Sequence, residues 1–235
     1  MSSLLNEKLK NCLAEKNCYE AHQIYRTMYF RLVRVNKFVE TYDQMFEGAM
    51  NMFELNEPLS GVDLAYLLLD LLNKENAGQT IVNTKGNLVY TDIGTLFDNI
   101  LPDSQDREAF VVKVLSTPCL SSGKDVLRTK FANVYWKEQS YSQARKHFLH
   151  SSESGHKVAT FLIEYQVSKF IPEEVDLMIA QFVLQCLVIK RFELGRTTFF
   201  SYVEKHPRIG QNKPNFMTPL LNFLYYLLEA PNQQK

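Results

Sequence analysis

One spacing recurs along this 235-residue chain. It consists of a small or aromatic residue, a small residue three positions on, and a bulky side chain four positions later. It reads Cys18, Ala21, Tyr25 near the start, Tyr141, Ala144, Phe148 past the middle, and more weakly Phe38, Thr41, Met45. Positions i, i+3 and i+7 share one face of an α-helix. A small residue at a helix crossing lets the neighbouring helix approach, and the aromatic one turn later fills the groove beside it. A chain that repeats this device is expected to stack helical hairpins, and such stacks bind other proteins more often than they catalyse reactions.

The rest of the pattern agrees. Ala21, Ile24, Tyr25, Met28 and Leu32 predict a helix over Glu20–Leu32, and Phe38 to Phe53 repeats the periodicity after a short Asn36-Lys37 connection. A third, more apolar helix is expected over Val62–Leu72. Asn76–Asp92 lacks helical periodicity, and its Asn83-Thr84-Lys85-Gly86-Asn87 core reads as a polar loop, with a small hairpin as the alternative. Further helices are predicted over Asp92–Ile100, Ser104–Ser116, Asp125–Trp136, Tyr141–His150, Val158–Phe170, Pro172–Arg191, Arg196–Glu204 and Pro219–Glu229, with Ser121-Ser122-Gly123 as a loop. Pro172 suits a first helical turn and Glu173-Glu174 its dipole. The helix they open is apolar almost all round and is expected to be buried. The sum is an all-α protein of about ten helices in a single domain, residues 1–235.

Composition narrows the function. Lys plus Arg total 26 and Asp plus Glu total 26, so neither nucleic acid nor an anionic membrane is the expected main partner. No apolar run reaches the roughly 20 residues of a spanning helix, and residues 1–17 show no secretory pattern. Cys12, Cys18, Cys119 and Cys186 lie far apart and read as reduced thiols of a cytosolic protein. Gly123-Lys124 is followed by Asp125, and Pro118 occupies the place of the first glycine, so a phosphate loop is absent. His147 and His150 stand three apart on one helix, but Arg145 and Lys146 beside them oppose a cation. No catalytic residue, cofactor or metal is assigned.

Two charged features remain. Asp63 and Asp70 lie two turns apart on one face of the third helix, a pair able to dock a basic partner. Spacing alone favours a plainer account: Ser60-x-x-Asp63 as a capping box and Asp70–Lys74 as an i, i+4 ion pair. His22, Arg26, Arg31, Arg34 and Lys37 make the first hairpin basic, which usually marks a solvated face.

Five segments, in order, carry a resemblance: YEAHQIYRTMYFR from Tyr19, GVDLAYLLLDLL from Gly61, WKEQSYSQARKHFLHSS from Trp136, EVDLMIAQFVLQCL from Glu174 and PLLNFLYYLL from Pro219. Together the chain resembles the Golgi to ER traffic protein 4 family, scaffolds of the guided-entry pathway for tail-anchored membrane proteins. The resemblance implies a cytosolic α-solenoid of tetratricopeptide-like helical hairpins without catalysis. It implies that the N-terminal half (1–120) docks the tail-anchored-protein targeting ATPase, with His22, Arg26 and Arg31 as the anchoring contact and Asp63 and Asp70 modulating turnover. It implies that the C-terminal half (121–235) holds a ubiquitin-like adaptor protein and, in animals, contacts a large BAG-domain scaffold.

Against the family pattern, Asn76–Asp92 reads as less helical than usual, and family members run on beyond the helix that matches Pro219–Glu229. That last helix spreads apolar side chains around its circumference, so Phe223, Tyr226 and Leu227 are expected to form a partner surface, and the isolated chain to self-associate. A general helical-repeat scaffold of the proteasome-lid or nuclear-export type is the alternative reading.

Overall fold

The computed structural model describes residues 2–169, 174–209, 216 and 218–230. All regular structure among them is helical, and the chain divides into two compact units, Met1–Leu127 and Arg128–Lys235.

One local device punctuates both units. The helices α1 (Ser2–Ala14), α2 (Cys18–Arg34) and α3 (Phe38–Glu54) each end two residues before a backbone with positive φ, at Lys16, Asn36 and Asn56. The next backbone N–H in each case reaches five residues back: Asn17 to Cys12, Lys37 to Leu32 and Glu57 to Met52, at 2.8–3.0 Å. This is a Schellman turn, which satisfies the last carbonyls of a helix while reversing the chain. The following helix starts at once, so the connections are tight. The same turn ends α8 (Lys124–Lys137) at Gln139 and α11 (Val175–Val188) at Lys190, where Ser140 reaches Tyr135 and Arg191 reaches Cys186.

In the first unit α3 packs between α2 and α4 (Pro58–Asn73). Ala21, Tyr25, Thr41 and Met45 are all buried, as the repeated spacing predicts. The Tyr25 ring lies on Gly48, where an added Cβ would come within 2.8 Å of it. The core continues through Leu64, Leu68 and Leu71 of α4 to Phe97 and Phe110.

Asn76–Asp92 is not a loop. It holds α5 (Glu75–Lys85) and the start of α6 (Leu88–Asn99), joined through Gly86 at φ +57°. Ala77, Gly78 and Ile81 face inward at helical spacing, but two of the three are small and give little hydrophobic signal. Thr80 and Thr84 donate their hydroxyls to carbonyls four residues back, so polar residues that suggest a loop sit here on a helix. Beyond α7 (Gln105–Ser116), Ser121-Ser122-Gly123 closes a 3-10 helix, Pro118–Gly123, rather than a loop.

The second unit adds α9 (Tyr141–Phe148), α10 (Gly155–Lys169), α12 (Phe192–Lys205) and α13 (Pro219–Glu229) to α11. Phe131, Phe148, Phe161, Phe182, Phe199 and Tyr202 form its core. The helix α11 is not buried all round, since Leu177, Leu184 and Val188 are exposed along one side. Pro172 and Glu173, expected to open this helix, lie outside the described residues. The helix α1 was not expected from the sequence; its buried side chains, Leu9 and Cys12, are too few to make a periodic signal.

Candidate partner-docking surfaces

The charged residues of the first unit meet where α2 crosses α4. Asp63 Oδ2 receives Arg26 Nη1 at 2.5 Å and lies 2.8 Å from His22 Nε2. The side chains of Arg26 and Asp63 are about one-third exposed, 36% and 38%, so the cluster sits at the surface. His22 and Arg26 are four apart on α2 and present one side, which is why one carboxylate can hold both.

Asp63 is therefore not a capping residue. Pro58 begins α4 two residues before Ser60, which places Asp63 in the second turn, beyond reach of the orphan N–H groups. Nor does Asp70 pair with Lys74. Asp70 Oδ1 binds Lys113 Nζ of α7 at 2.6 Å, and Lys74 Nζ instead stands 5.6 Å from the centre of the Tyr29 ring. Lys113 also lies over the Tyr66 ring at 5.0 Å, and the Tyr66 hydroxyl donates to the Asp106 carbonyl. Burial, with the Asp70 charge behind it, pushes the Tyr29 phenol up.

The two acids thus belong to two ion-paired stations along α4, one with α2 and one with α7. Arg31 joins neither. It lines a groove of about 340 Å³ with Leu5, Met28, Leu32, Val35 and Lys37, between α1, α2 and α3. Sequence reasoning did not find Lys113, because nothing local marks it as the partner of Asp70. It also passed over Tyr19 and Leu59, which are 77% and 74% exposed and stand one turn before His22 and Asp63. The charged station is bracketed by apolar surface.

In the second unit α13 turns Leu221, Leu224 and Leu228 inward. Phe223 and Tyr226 are exposed, at 55% and 59%, and Leu227 is half-buried. Tyr225, between them, packs edge-on against Phe200 and Phe216. The helix is apolar around its circumference but uses only part of that surface for packing.

The family profile described as Golgi to ER traffic protein 4 matches residues 35–235. The chain belongs to this family. The Golgi to ER traffic protein 4 homolog of Oryzias latipes is 38% identical over 226 residues, covering 95% of this chain and 68% of that protein. The Homo sapiens homolog is 36% identical over 229 residues, covering 95% and 67%. Among solved structures, the C. therm. Get4 crystal structure superposes with a TM-score of 0.77 at 20% identity, over 98% of this chain and 77% of that one. The fold is the all-α, solenoid-type fold of that protein. The family is one of Golgi-to-ER traffic proteins, and no helix among the described residues is long and apolar enough to cross a membrane.

Proposed function

We propose that this chain is a non-enzymatic cytosolic adaptor in the post-translational insertion of tail-anchored proteins into the ER membrane. In this reading residues 1–120 dock the targeting ATPase, and residues 121–235 hold a ubiquitin-like adaptor protein, with a large BAG-domain scaffold as a further contact. Family membership supports the pathway. The observation that carries the docking assignment is the His22–Arg26–Asp63 cluster between α2 and α4, charged, partly exposed and flanked by exposed Tyr19 and Leu59.

Apolar anchors beside oriented charges suit a protein interface: the anchors supply affinity, and the charges supply rate and specificity. The Arg26 guanidinium and the carboxylates Asp63 and Asp70 offer both signs on adjacent helices, with the His22 imidazole beside them, which suits a partner surface of mixed charge. Asp63 and Asp70 each have only one oxygen engaged by the ion pairs described above. Each therefore keeps one oxygen for a partner. Arg31, at the α1–α3 groove, extends the anchoring surface away from the acids. On α13, Phe223, Tyr226 and Leu227 give the adaptor an apolar strip.

The test is direct. The purified chain is titrated with a purified tail-anchored-protein targeting ATPase in its ATP-bound form, and ATP turnover is followed. Saturable binding that weakens with salt and with Arg26→Gln is expected. Absence of binding at low salt by a folded chain would remove the reading.

A further inference from the structure

His147 and His150, whose neighbours Arg145 and Lys146 oppose a metal site, lie in a distinct electrostatic setting in the second unit. His147 is 7% exposed, and its Nδ1 is buried without a hydrogen-bond partner. Its ring stacks on Tyr135 of α8 at 5.6 Å with planes 7° apart, and meets Phe131 edge-on at 5.7 Å. Arg128 occupies the same side of α8, one turn before Phe131. It is half-buried and has no carboxylate partner among the described residues. From the end of α11, Arg191 Nη1 donates to the Leu149 carbonyl at 3.2 Å, which brings a second guanidinium to the turn that holds His150.

The charges that act on this place are all of one sign. Burial lowers both imidazole pKa values first, and then Arg128, Lys146 and His150 act on His147, and Arg128 and Arg191 on His150, in the same direction. Burial also holds the Arg128 guanidinium below its usual value, with no acid to offset it. The dipole at the C-terminus of α9 favours Lys146 and His147. It does not account for Arg128 and Arg191, which arrive from two other elements. Desolvated guanidinium groups without counter-charges are costly, and planar guanidinium forks match phosphate oxygens.

We propose that Arg128, His150 and Arg191, backed by buried His147, form a binding site for a phosphate monoester dianion. Neither the ATPase-docking nor the adaptor-docking reading depends on it. The phosphate belongs either to a small soluble molecule or to a phosphorylated side chain of a partner.

The intact chain is titrated with inorganic phosphate, and the imidazole resonances of the histidines are followed by NMR across pH. Bound phosphate is expected to raise the His150 titration midpoint by about 1 unit, since an opposite charge within hydrogen-bonding range acts on that scale. Arg128→Gln and Arg191→Gln each weaken binding roughly tenfold or more, while Arg191→Lys keeps part of it and Lys205→Gln changes nothing. A peptide with one phosphoserine that binds more tightly than inorganic phosphate, its unphosphorylated form being silent, assigns the dianion to a partner segment. Equal affinities assign it to a free phosphate. The proposal is overturned if chloride at matched ionic strength moves His150 equally, or if folded Arg128→Gln and Arg191→Gln bind phosphate as the wild type does.

Discussion

Arg26 and Asp63 form the short ion pair that ties α2 to α4, with Nη1 and Oδ2 2.5 Å apart, and His22 Nε2 shares the same oxygen at 2.8 Å. This geometry separates two effects that a charge reversal at Asp63 would mix. Asp63→Asn removes the charge but keeps a hydrogen-bond acceptor beside both donors. With the pair one-third exposed, it costs no more than ~1 kcal/mol in urea unfolding. Asp63→Lys sets a second cation against Arg26, removes the acceptor for His22 and costs more. If the proposed docking is right, Asp63→Asn together with Asp70→Asn alters regulation of ATP turnover without altering the midpoint of unfolding by much. An unchanged turnover would clear both acids of a regulatory part.

The repeat spacing that opens the sequence makes its own demand. Ala21 and Ala144 are both fully buried at helix crossings. Leucine at either site adds methylenes where neighbouring helices already touch, and each substitution is expected to cost ~1–3 kcal/mol in chemical denaturation. Unaltered stability in both variants would mean that the crossings have room to spare.

Much of this packing was legible beforehand because Tyr25, Met28, Tyr42 and Met45 make a strong helical period. The α5–α6 pair was not, since Ala77 and Gly78 bury almost no apolar surface and threonines cover its outside. At the candidate site the spacing singled out charged residues that do make contacts, but it paired them locally, whereas their partners lie on other helices. Ser60-x-x-Asp63 resembles a cap only if the helix begins at Ser60, and Pro58 moves the start. Lys113 could not be matched with Asp70 by any local rule, because α7 meets α4 only in the folded unit. The Schellman turns were hidden for another reason: lysine, asparagine and glutamine occupy the positive-φ positions that usually signal themselves as glycine.

That substitution of glycine has a measurable consequence at Lys190, where φ is +61°. An L-residue with a Cβ pays roughly 1–2 kcal/mol in this conformation, partly offset by the greater freedom glycine has in the unfolded chain. Lys190→Gly is therefore expected to raise stability by about 0.5–1 kcal/mol in urea titration. A loss of stability would show that the lysine side chain makes a compensating contact.

His147 sets a pH dependence whose sign follows from its burial. Burial first, then the Arg128, Lys146 and His150 charges, bring its pKa down from 6.5 to about 4. Between those values the unfolded chain binds a proton that the folded chain refuses, so stability falls as pH drops from 6.5 towards 4, by about 3 kcal/mol in all. Carboxylates titrate in the lower part of this window, so the measurement is a difference. His147→Phe keeps the stack on Tyr135, removes the unpartnered Nδ1 and is expected to flatten the slope above pH 5 while matching wild-type stability at pH 7. An equal slope in both proteins would assign the dependence to other groups.

The apolar strip of α13 distinguishes packing from docking within one helix. Leu224 is fully buried, so Leu224→Ala opens a cavity and costs about 2–5 kcal/mol. Phe223 and Tyr226 are more than half exposed, and replacing either with serine removes mainly solvent-facing surface. These two variants are expected to stay within about 0.5 kcal/mol of wild type, as surface changes usually do. Exposed aromatic side chains on a helix already anchored by three leucines are what an interface would use, since aromatic anchors contribute most of the binding energy at such sites. Binding of a purified ubiquitin-like adaptor, measured by calorimetry, is therefore expected to weaken at least tenfold in the Phe223→Ser, Tyr226→Ser double variant, with Leu227→Ala intermediate because its side chain is half-buried. The same double variant should reduce any concentration-dependent self-association seen by analytical ultracentrifugation, because both processes draw on one apolar surface. Wild-type binding by the stable double variant would remove α13 from the adaptor interface.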